Sequence, residues 1–464
     1  DKLKQILIKD HYKAWCGENW LSLYDKDLKN NELRGPKNYK LEDDIDIIMN
    51  PPPRSGYEGA IVLDPSPGIY LDDPVGVVDY ASLYPSSIIE KNISHDTIIV
   101  DDKYLSYLKE GEDYETITYA NYKYVETEGK VTITKEIDQD NKEITCHFLK
   151  RNEGDQMGII PDVVSQLLGQ RKATKKRLKE EKNEFKKKVL DGLQLSYKLV
   201  ANSVYGQMGA KTSPIYYNKL AACTTSIGRQ RIYDAREGVE GYQEKDSDGN
   251  LLYHENGDRV TSNGWWDDEK DTTYGGKAHG VMYPPKVIYG DTDSVFIKWS
   301  RWIRRPDGRE EQLQGEEALK QCIEWGKAAG KWVTEHRLNE TFVCDDSIGL
   351  SKAPQDLEYE KTFFPFILIS KKRYVADKYE FKASNPKRNS MGIVLKRRDN
   401  APIVKHVFGN VIEKIMIDKN LTNTVEWLKD TLKNIRNGSF SINNFIITKS
   451  LRGYYKNPSS VAHK

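Results

Sequence analysis

The sequence predicts an α+β fold, an antiparallel sheet with helices packed on one face, extended by a long two-helix projection. Three observations predict it. Apolar runs shaped like buried strands end in acids at residues 75–79 and again at 287–291. Residues 112–150 alternate Tyr, Thr, Val and Ile with polar residues, the period of strands. Residues 158–210 instead carry helical periodicity. Strands and helices in separate runs, rather than strict alternation, mark α+β.

The elements follow in order. Residues 1–50 read as a polar lead-in of helix and loop, with Asp43, Asp44 and Asp46 in a solvated turn. Residues 55–100 read as strands that lead into a helix at SLYPSSIIEKN, and residues 112–150 as inserted β-hairpins. Residues 158–210 read as two antiparallel helices joined near Leu190 to Gly192. Within them QRKATKKRLKEEKNEFKKK is strongly basic, although acids and bases alternate over residues 179–188, the pattern of a solvated face. Residues 240–285 hold SDGN, ENGD and SNGWW, the turn signals of a surface hairpin insertion. DSDGN lacks the full ligand spacing of a calcium loop. Trp265 and Trp266 are expected to pin this insertion to the sheet. Residues 287–297 read as a β-hairpin with GDTDS at its turn. Leu319, Ile323 and Val333 mark an amphipathic helix under the sheet. Val425, Leu428, Leu432 and Ile435 mark another that ends at Asn437–Gly438.

Composition sets bounds. A chain of 464 residues has room for several domains. The net charge of +1 announces no polyanion partner, yet counterion release depends on the local surface, so a basic groove can hide in this balance. Cys16, Cys146, Cys223, Cys322 and Cys344 are scattered with no CxxC, so reduced thiols, no zinc or iron–sulfur centre and an intracellular protein are expected. No run of about 18 apolar residues suggests a membrane span, and no secretory signal is visible.

Three strings carry the chemistry: VVDYASLYPSS (77–87), KLVANSVYGQMG (198–209) and YGDTDSVF (289–296). Asp79 is a carboxylate at a strand end. Asp291 and Asp293 stand two apart, and residues two apart on a strand share a face, so two carboxylates are expected to converge there. Carboxylates suit hard cations such as Mg²⁺, and two such ions about 3.5–4 Å apart can clamp a phosphoryl displacement. Singly, each acid is more often a turn or surface residue. The middle string supplies the complement. Lys198, Asn202 and Tyr205 form one helical stripe at i, i+4 and i+7, Arg171 and Lys175 repeat the i, i+4 spacing, and Gly206 and Gly209 allow close backbone approach or end the helix.

Together these strings resemble family B DNA polymerases, in particular the polymerase δ-like enzymes of eukaryotes and their large DNA viruses. DYASLYPSS resembles motif A, KLVANSVYG motif B and YGDTDS motif C, in the family's order. SGYEGA (55–60) resembles the YxGG/A element, SKKRY (370–374) the KKRY element and LKRRDNAP (395–402) the approach to the thumb. The resemblance implies a palm at 55–157 with a β insertion at about 101–150, fingers at 158–212, a second palm part at 213–370 with an insertion at about 240–285, and a KKRY region with a partial thumb at 371–464, after a lead-in at 1–54. It implies that Asp79 and Asp293 hold two Mg²⁺ ions with the Tyr80 carbonyl assisting, and that Asp291 lies beside them. Ser82, Leu83 and Tyr84 would border the nucleotide, with the Tyr84 ring excluding a 2′-hydroxyl. Arg171, Lys175 and Lys198 would contact the triphosphate, supported by Asn202. Tyr205 and Gly206 would flank the nascent base pair, Tyr57 and Gly59 the template side, and Lys371, Lys372, Arg373 and Tyr374 the primer–template backbone. Glu360 is a further acid candidate, with a solvated strand acid as the plain alternative. Implied partners are primer–template DNA, deoxynucleoside triphosphates and a sliding clamp or other processivity factor, in the nucleus or a viral replication compartment.

The sequence departs from the family at Val375, Ala376 and Asp377, where many relatives carry a glycine. The start at Asp1 and the end in SLRGYYKNPSSVAHK suggest a fragment cut at both ends, without a separate exonuclease domain. Two other readings compete: a sugar-nucleotide transferase that uses DTD as its metal motif, and a degenerate polymerase that serves as a scaffold. The first needs none of Lys198, Asn202 and Tyr205, and the intact acids speak against the second. A reverse transcriptase is disfavoured because DTD replaces paired adjacent acids.

Overall fold

The computed structural model describes residues 55–126, 133–139, 142–151, 156–254, 259–338, 354–396 and 400–448. The lead-in at 1–54 with its three aspartates, Cys16, Cys344, residues 397–399 of LKRRDNAP and the terminal stretch from 449 lie outside them. The chain divides into two units, residues 1–58 with 120–144, and residues 59–119 with 145–464.

In chain order come β1 (Ser55–Tyr57), β2 (Val62–Leu63), β3 (Gly68–Tyr70), β4 (Val75–Tyr80) and helix α1 (Leu83–Glu90). Next are β5 (Ile98–Ile99), β6 (Tyr114–Glu126), β7 (Ile133–Ile137) and β8 (Glu143–Leu149), the hairpins expected from the alternation. Helices α2 (Ile159–Glu180), α3 (Glu184–Gly209) and α4 (Asn218–Glu240) follow, then the short strands β9 (Tyr242–Gln243) and β10 (Thr261–Ser262). The chain continues through β11 (Lys286–Asp291), β12 (Ser294–Lys298), β13 (Trp302–Arg304), β14 (Glu310–Gln312) and α5 (Gly315–Val333). It ends with β15 (Leu357–Ser370), β16 (Arg373–Tyr379), β17 (Lys387–Met391), α6 (Pro402–Glu413) and α7 (Leu421–Arg436). Mixed helix and antiparallel sheet make the fold α+β, as the sequence predicts.

In the first unit β1 pairs antiparallel with β6, Tyr57 opposite Asn121, and β6 pairs with β7. The second unit is built on an eight-stranded sheet ordered β17-β16-β15-β4-β12-β11-β2, with β3 beside β15. All its pairings are antiparallel. β4 is central and nearly wholly buried, which is why its sequence is a continuous apolar run rather than an alternation. One face carries Val78, Tyr80, Val295 and Ile297 against Ile232 and Val239 of α4 and Cys322, Trp325 and Val333 of α5. α5 lies close on the sheet because Gly326 and Gly330 leave room. A Cβ at either would stand 2.6 Å from the Tyr359 ring or the Leu357 carbonyl oxygen. The other face is aromatic, with Tyr289, Phe296, Phe363, Phe366 and Tyr374 around Val75 and Val77. By strand parity Asp79 belongs to this second face.

The helical hairpin breaks where the sequence reading did not put it. α2 ends at Glu180 and α3 begins at Glu184, so the joint is at 181–183 rather than at Leu190 to Gly192. Asn183 caps α3 by accepting the N–H groups of Phe185 and Lys186, and the Glu181 carboxylate accepts those of Lys182 and Asn183. These bonds satisfy the otherwise orphaned donors, whereas Gly192 sits inside α3. Residues 179–188 are exposed apart from the half-buried Glu181 and Lys187, as the charge alternation predicts, but they flank the joint instead of forming one helix.

The insertion agrees with expectation. Asp246 accepts the N–H groups of Asp248 and Asn250, so SDGN is a turn closed on itself. Trp265 is fully buried in the core beside α4 and α5, its indole donating to the Tyr274 carbonyl, and Trp266 donates to the Glu240 carbonyl. Leu319, Ile323 and Val333 are buried on α5. α7 ends at Arg436 with Asn437 as its cap, and its apolar stripe is only partly covered, Leu428 and Ile435 being half-buried while Val425 and Leu432 are 48% and 52% exposed. Cys146, Cys223 and Cys322 are buried free thiols. Among the described residues no helix is long and apolar enough to cross a membrane.

Candidate active site

The acids of the first and third strings meet through main-chain pairing. β4 and β12 run antiparallel with Asp79 opposite Ser294. The Tyr80 N–H donates to the Asp293 carbonyl at 2.9 Å, which fixes the two chain segments side by side. The hairpin turns at Thr292, whose φ of 64° is left-handed, and the Thr292 N–H is held by the Ile61 carbonyl at 3.1 Å. Burial pushes the Asp79 carboxyl up to about 8, with repulsion from Asp293 and Glu360 adding to it and Lys361 and Lys198 opposing. Asp293 is raised too, chiefly by burial, with Asp291 and Glu360 contributing and Lys198 opposing. These are carboxylates crowded into a half-dry site where the nearby lysines only partly offset burial.

Asp291 departs from the expectation that it shares a strand face with Asp293. The left-handed Thr292 puts Asp293 in the turn, off the line of β11. The Asp291 carboxylate accepts from Lys372 Nζ at 2.6 Å and from the Tyr289 hydroxyl at 3.2 Å. The Tyr289 hydroxyl in turn accepts the Lys372 N–H at 2.9 Å.

β15 supplies two further acids. Glu358 lies opposite Asp79 in register, and the pairing slips between Tyr359 and Lys361, which makes Glu360 a bulge residue. Bulges re-aim side chains. Glu360 is exposed and pairs with Lys361 at 2.6 Å, and its charge helps to raise both Asp79 and Asp293. A cavity of about 280 Å³ lies here, lined by Asp79, Ala81, Glu358, Glu360, Lys361 and Lys378 among others. Sequence reasoning missed Glu358. The signal was available in LEYEK, where Glu358 and Glu360 stand two apart.

The cations face these acids. Lys198 on α3 stabilises the charged forms of both Asp79 and Asp293. Burial lowers Arg171 and Lys175 on α2, while Glu358 attracts both. Lys175 is lowered further by repulsion from Arg171 and Lys198, so the three form one cationic cluster. Arg171 Nε is buried without a hydrogen-bond partner. The Asn202 amide donates to the Lys198 carbonyl at 2.9 Å, on the same stripe of α3. The rings of Tyr84 and Tyr205 lie 4.5 Å apart. Gly228 makes room for Tyr84, since a Cβ there would meet its Cε1 at 2.8 Å. Ser82 takes a left-handed φ of 67° ahead of α1, and Leu83 is buried. A Cβ at Gly206 would meet nothing within 4 Å, so that side of α3 is open.

In SKKRY, Lys371 Nζ donates to the Val62 carbonyl at 3.1 Å and pairs with Asp64 at 2.7 Å. Lys372 occupies the left-handed turn between β15 and β16, and Arg373 is exposed. Tyr374 is buried in the aromatic face and pushed up to about 12 by burial, so its ring is a core element rather than a surface one. At the departure from the family, Val375 and Ala376 are paired on both sides, whereas Asp377 pairs with Arg388 alone, at a register shift against β15. Tyr57 is on β1 of the first unit. In the second unit the Gly59 carbonyl accepts from Arg229 at 3.0 Å. Outside this site, donor atoms of Asp268, Asp271 and His336 lie within 4.8 Å of one another. The His336 ring meets Asp271 at 3.1 Å, and Trp332 donates to Asp268 at 2.5 Å.

Comparison with known proteins matches this arrangement. The profile of DNA polymerase family B fits residues 19–304 and 326–463. The chain is 37% identical over 455 residues to a DNA polymerase of Pyramimonas orientalis virus, covering 88% of this chain and 32% of that one. It is 30% identical over 396 residues to a DNA polymerase delta catalytic subunit of Plasmodium falciparum, covering 85% and 28%. It is 27% identical over 412 residues to the corresponding Candida albicans subunit, covering 88% and 31%. The chain thus spans about a third of the length of these relatives. With a profile that fits most of its length, and with acids and cations brought together in one half-buried site, the chain belongs to DNA polymerase family B.

Proposed function

We propose that this chain is the polymerising core of an enzyme that extends a DNA primer along a template. In this reading the eight-stranded sheet is the palm, α2 and α3 are the fingers, and residues 371–464 are the KKRY region and part of the thumb. The observation that carries the reading is the pairing of Asp79 with Asp293 beside Lys198.

The donor set fits divalent metal. Asp79 and Asp293 offer oxygens, and both carboxyls are raised by burial first and by neighbouring acids second, a cost that a bound cation would relieve. Two ions of the Mg²⁺ type, when bound, would supply charge stabilisation at the attacking and leaving oxygens. Asp79 and Asp293 would hold them with the Tyr80 carbonyl, and Glu360 and Glu358 would add charge at the edge.

The other residues position and neutralise. The primer 3′-oxygen gives up its proton and bonds to the α-phosphorus of a deoxynucleoside triphosphate as the bond to pyrophosphate breaks. Arg171, Lys175 and Lys198 would hold the triphosphate, and the partnerless Arg171 Nε supports an anion site there. Tyr84, braced by Tyr205 and Gly228, would lie under the sugar. Tyr205 and Gly206 would border the nascent pair, and Lys371, Lys372 and Arg373 would meet DNA phosphates.

Primer extension by the full-length polymerase that carries this segment tests the reading. Asp79→Asn and Asp293→Asn should each lower extension by on the order of 10³-fold while primer–template binding persists. Extension at the unaltered rate by both variants would sink it.

A further inference from the structure

Helix α4 meets the strand and helix of the first string within one turn, residues 228–231. The Tyr80 hydroxyl donates to the Arg231 carbonyl at 2.5 Å. Gly228 stands against the Tyr84 ring, where a Cβ would come within 2.8 Å. The Arg231 guanidinium reaches Glu90, the last residue of α1, with Nε on one carboxylate oxygen at 3.2 Å and Nη2 on the other. Its Nη1 pairs with Asp234 at 2.7 Å. One residue of α4 thus grips the residue after Asp79 with its main chain and the far end of α1 with its side chain.

These contacts are sunk in the interior. The side chains of Arg231 and Glu90 are 13% and 8% exposed. The Gln355 amide donates to Glu90 at 2.8 Å and to the Ser87 hydroxyl at 3.3 Å. Lys91 lies 3.4 Å from Glu90 and pairs with Glu115 at 2.7 Å. Burial alone would lower the Arg231 guanidinium, and Glu90 and Asp234 reverse that and keep it charged. A buried ion pair adds little net stability, because desolvation offsets the attraction. A guanidinium fork on a carboxylate is above all a geometric device. Apolar side chains of similar volume would hold α1 to α4 about as firmly, with less command of its register.

That register matters at Tyr84. α1 has only 8 residues, and Glu90 follows Tyr84 by fewer than two turns, so a slide at one end of this short rod is a slide at the other. We propose that Arg231 and Glu90 are positioning residues for sugar selection: their ion pair sets where α1 stands on α4, and thereby where the Tyr84 ring meets the sugar of an incoming nucleotide. Both act through Tyr84 rather than on the reacting atoms. The inference rests on the polymerase reading and on Tyr84 as its sugar-excluding ring, and it deepens both.

The test is the ratio of kcat/KM for ribo- and deoxynucleotides in single-nucleotide primer extension by the full-length polymerase that carries this segment. It is run at a temperature where circular dichroism shows each variant folded. The Glu90→Met, Arg231→Met double variant removes both buried charges together, so neither is left facing the other's vacancy. Tyr84→Ala is the control. The expected result is relative ribonucleotide use raised about tenfold in the double variant, short of the Tyr84→Ala shift. Should the double variant not fold, Glu90→Gln takes its place, since it leaves Arg231 its pair with Asp234, and about a threefold rise is expected. A purely structural pair would lower the melting temperature and leave the ratio where it was. An unchanged ratio in the folded variant, with Tyr84→Ala raised, therefore overturns the proposal and leaves the polymerase reading standing. An unchanged ratio in Tyr84→Ala as well removes the sugar-excluding role and the proposal together. No extension by the unaltered enzyme overturns the polymerase reading itself.

Discussion

Tyr84 shows how a side chain acquires a job from its neighbours. Its ring is wedged between Tyr205 and the bare face of Gly228, a restraint that suits the proposed sugar-excluding role. Removing that ring in Tyr84→Ala should raise relative use of ribonucleotides by about 10²-fold, the range in which pockets tell apart substrates that differ by a hydroxyl. The ratio of kcat/KM for ribo- and deoxynucleotides measures it, and an unchanged ratio would reject the sugar-excluding role. Asp79 and Asp293 were legible in the sequence because a strand end and a hairpin turn are local signals. The partner of Asp291 was not, since Lys372 reaches it from the distant turn between β15 and β16. Glu358 was overlooked for the same reason. Its weight comes from lying opposite Asp79 and from attracting Arg171 and Lys175, and neither relation is written in LEYEK.

Among the elements, the α2–α3 hairpin was foreseen and its joint misplaced. Gly192 looked like the break, yet one glycine inside a long helix costs only about 1 kcal/mol against alanine, which packing and length absorb. The real break is made by the side chains of Glu181 and Asn183, which stop one helix and start the next. Asn183→Ala should destabilise the start of α3 by about 1 kcal/mol. Amide exchange over residues 184–188 should quicken while β4 and β12 keep their protection, and uniform exchange across the chain would contradict this. The insertion was legible as a surface hairpin from its turn residues. That Trp265 stacks edge-on to Trp299 at 5.3 Å, inside the core shared with α4 and α5, is a tertiary fact that composition does not carry.

At the scale of the molecule, a net charge of +1 conceals strong segregation. Arg171, Lys175 and Lys198 cluster against the acid site while many other charges cancel in short-range pairs such as Lys320 with Glu316 and Arg388 with Asp377. With Lys371, Lys372 and Arg373 proposed to meet DNA phosphates, affinity for primer–template should fall with salt, log K dropping by about 0.9 per phosphate neutralised for each unit of log salt. Anisotropy titrations across potassium chloride concentrations measure the slope, and a flat response would mean that the cations do not meet DNA. The hydrogen bond from the Tyr80 amide to the Asp293 carbonyl has one more consequence. It sets the distance between the two acids with peptide groups, which every amino acid other than proline can supply. Lineages are thus free to exchange Val77, Val78 or Phe296 for other apolar residues, and the hydrophobic interior can drift over evolutionary time without detuning the spacing of the carboxylates.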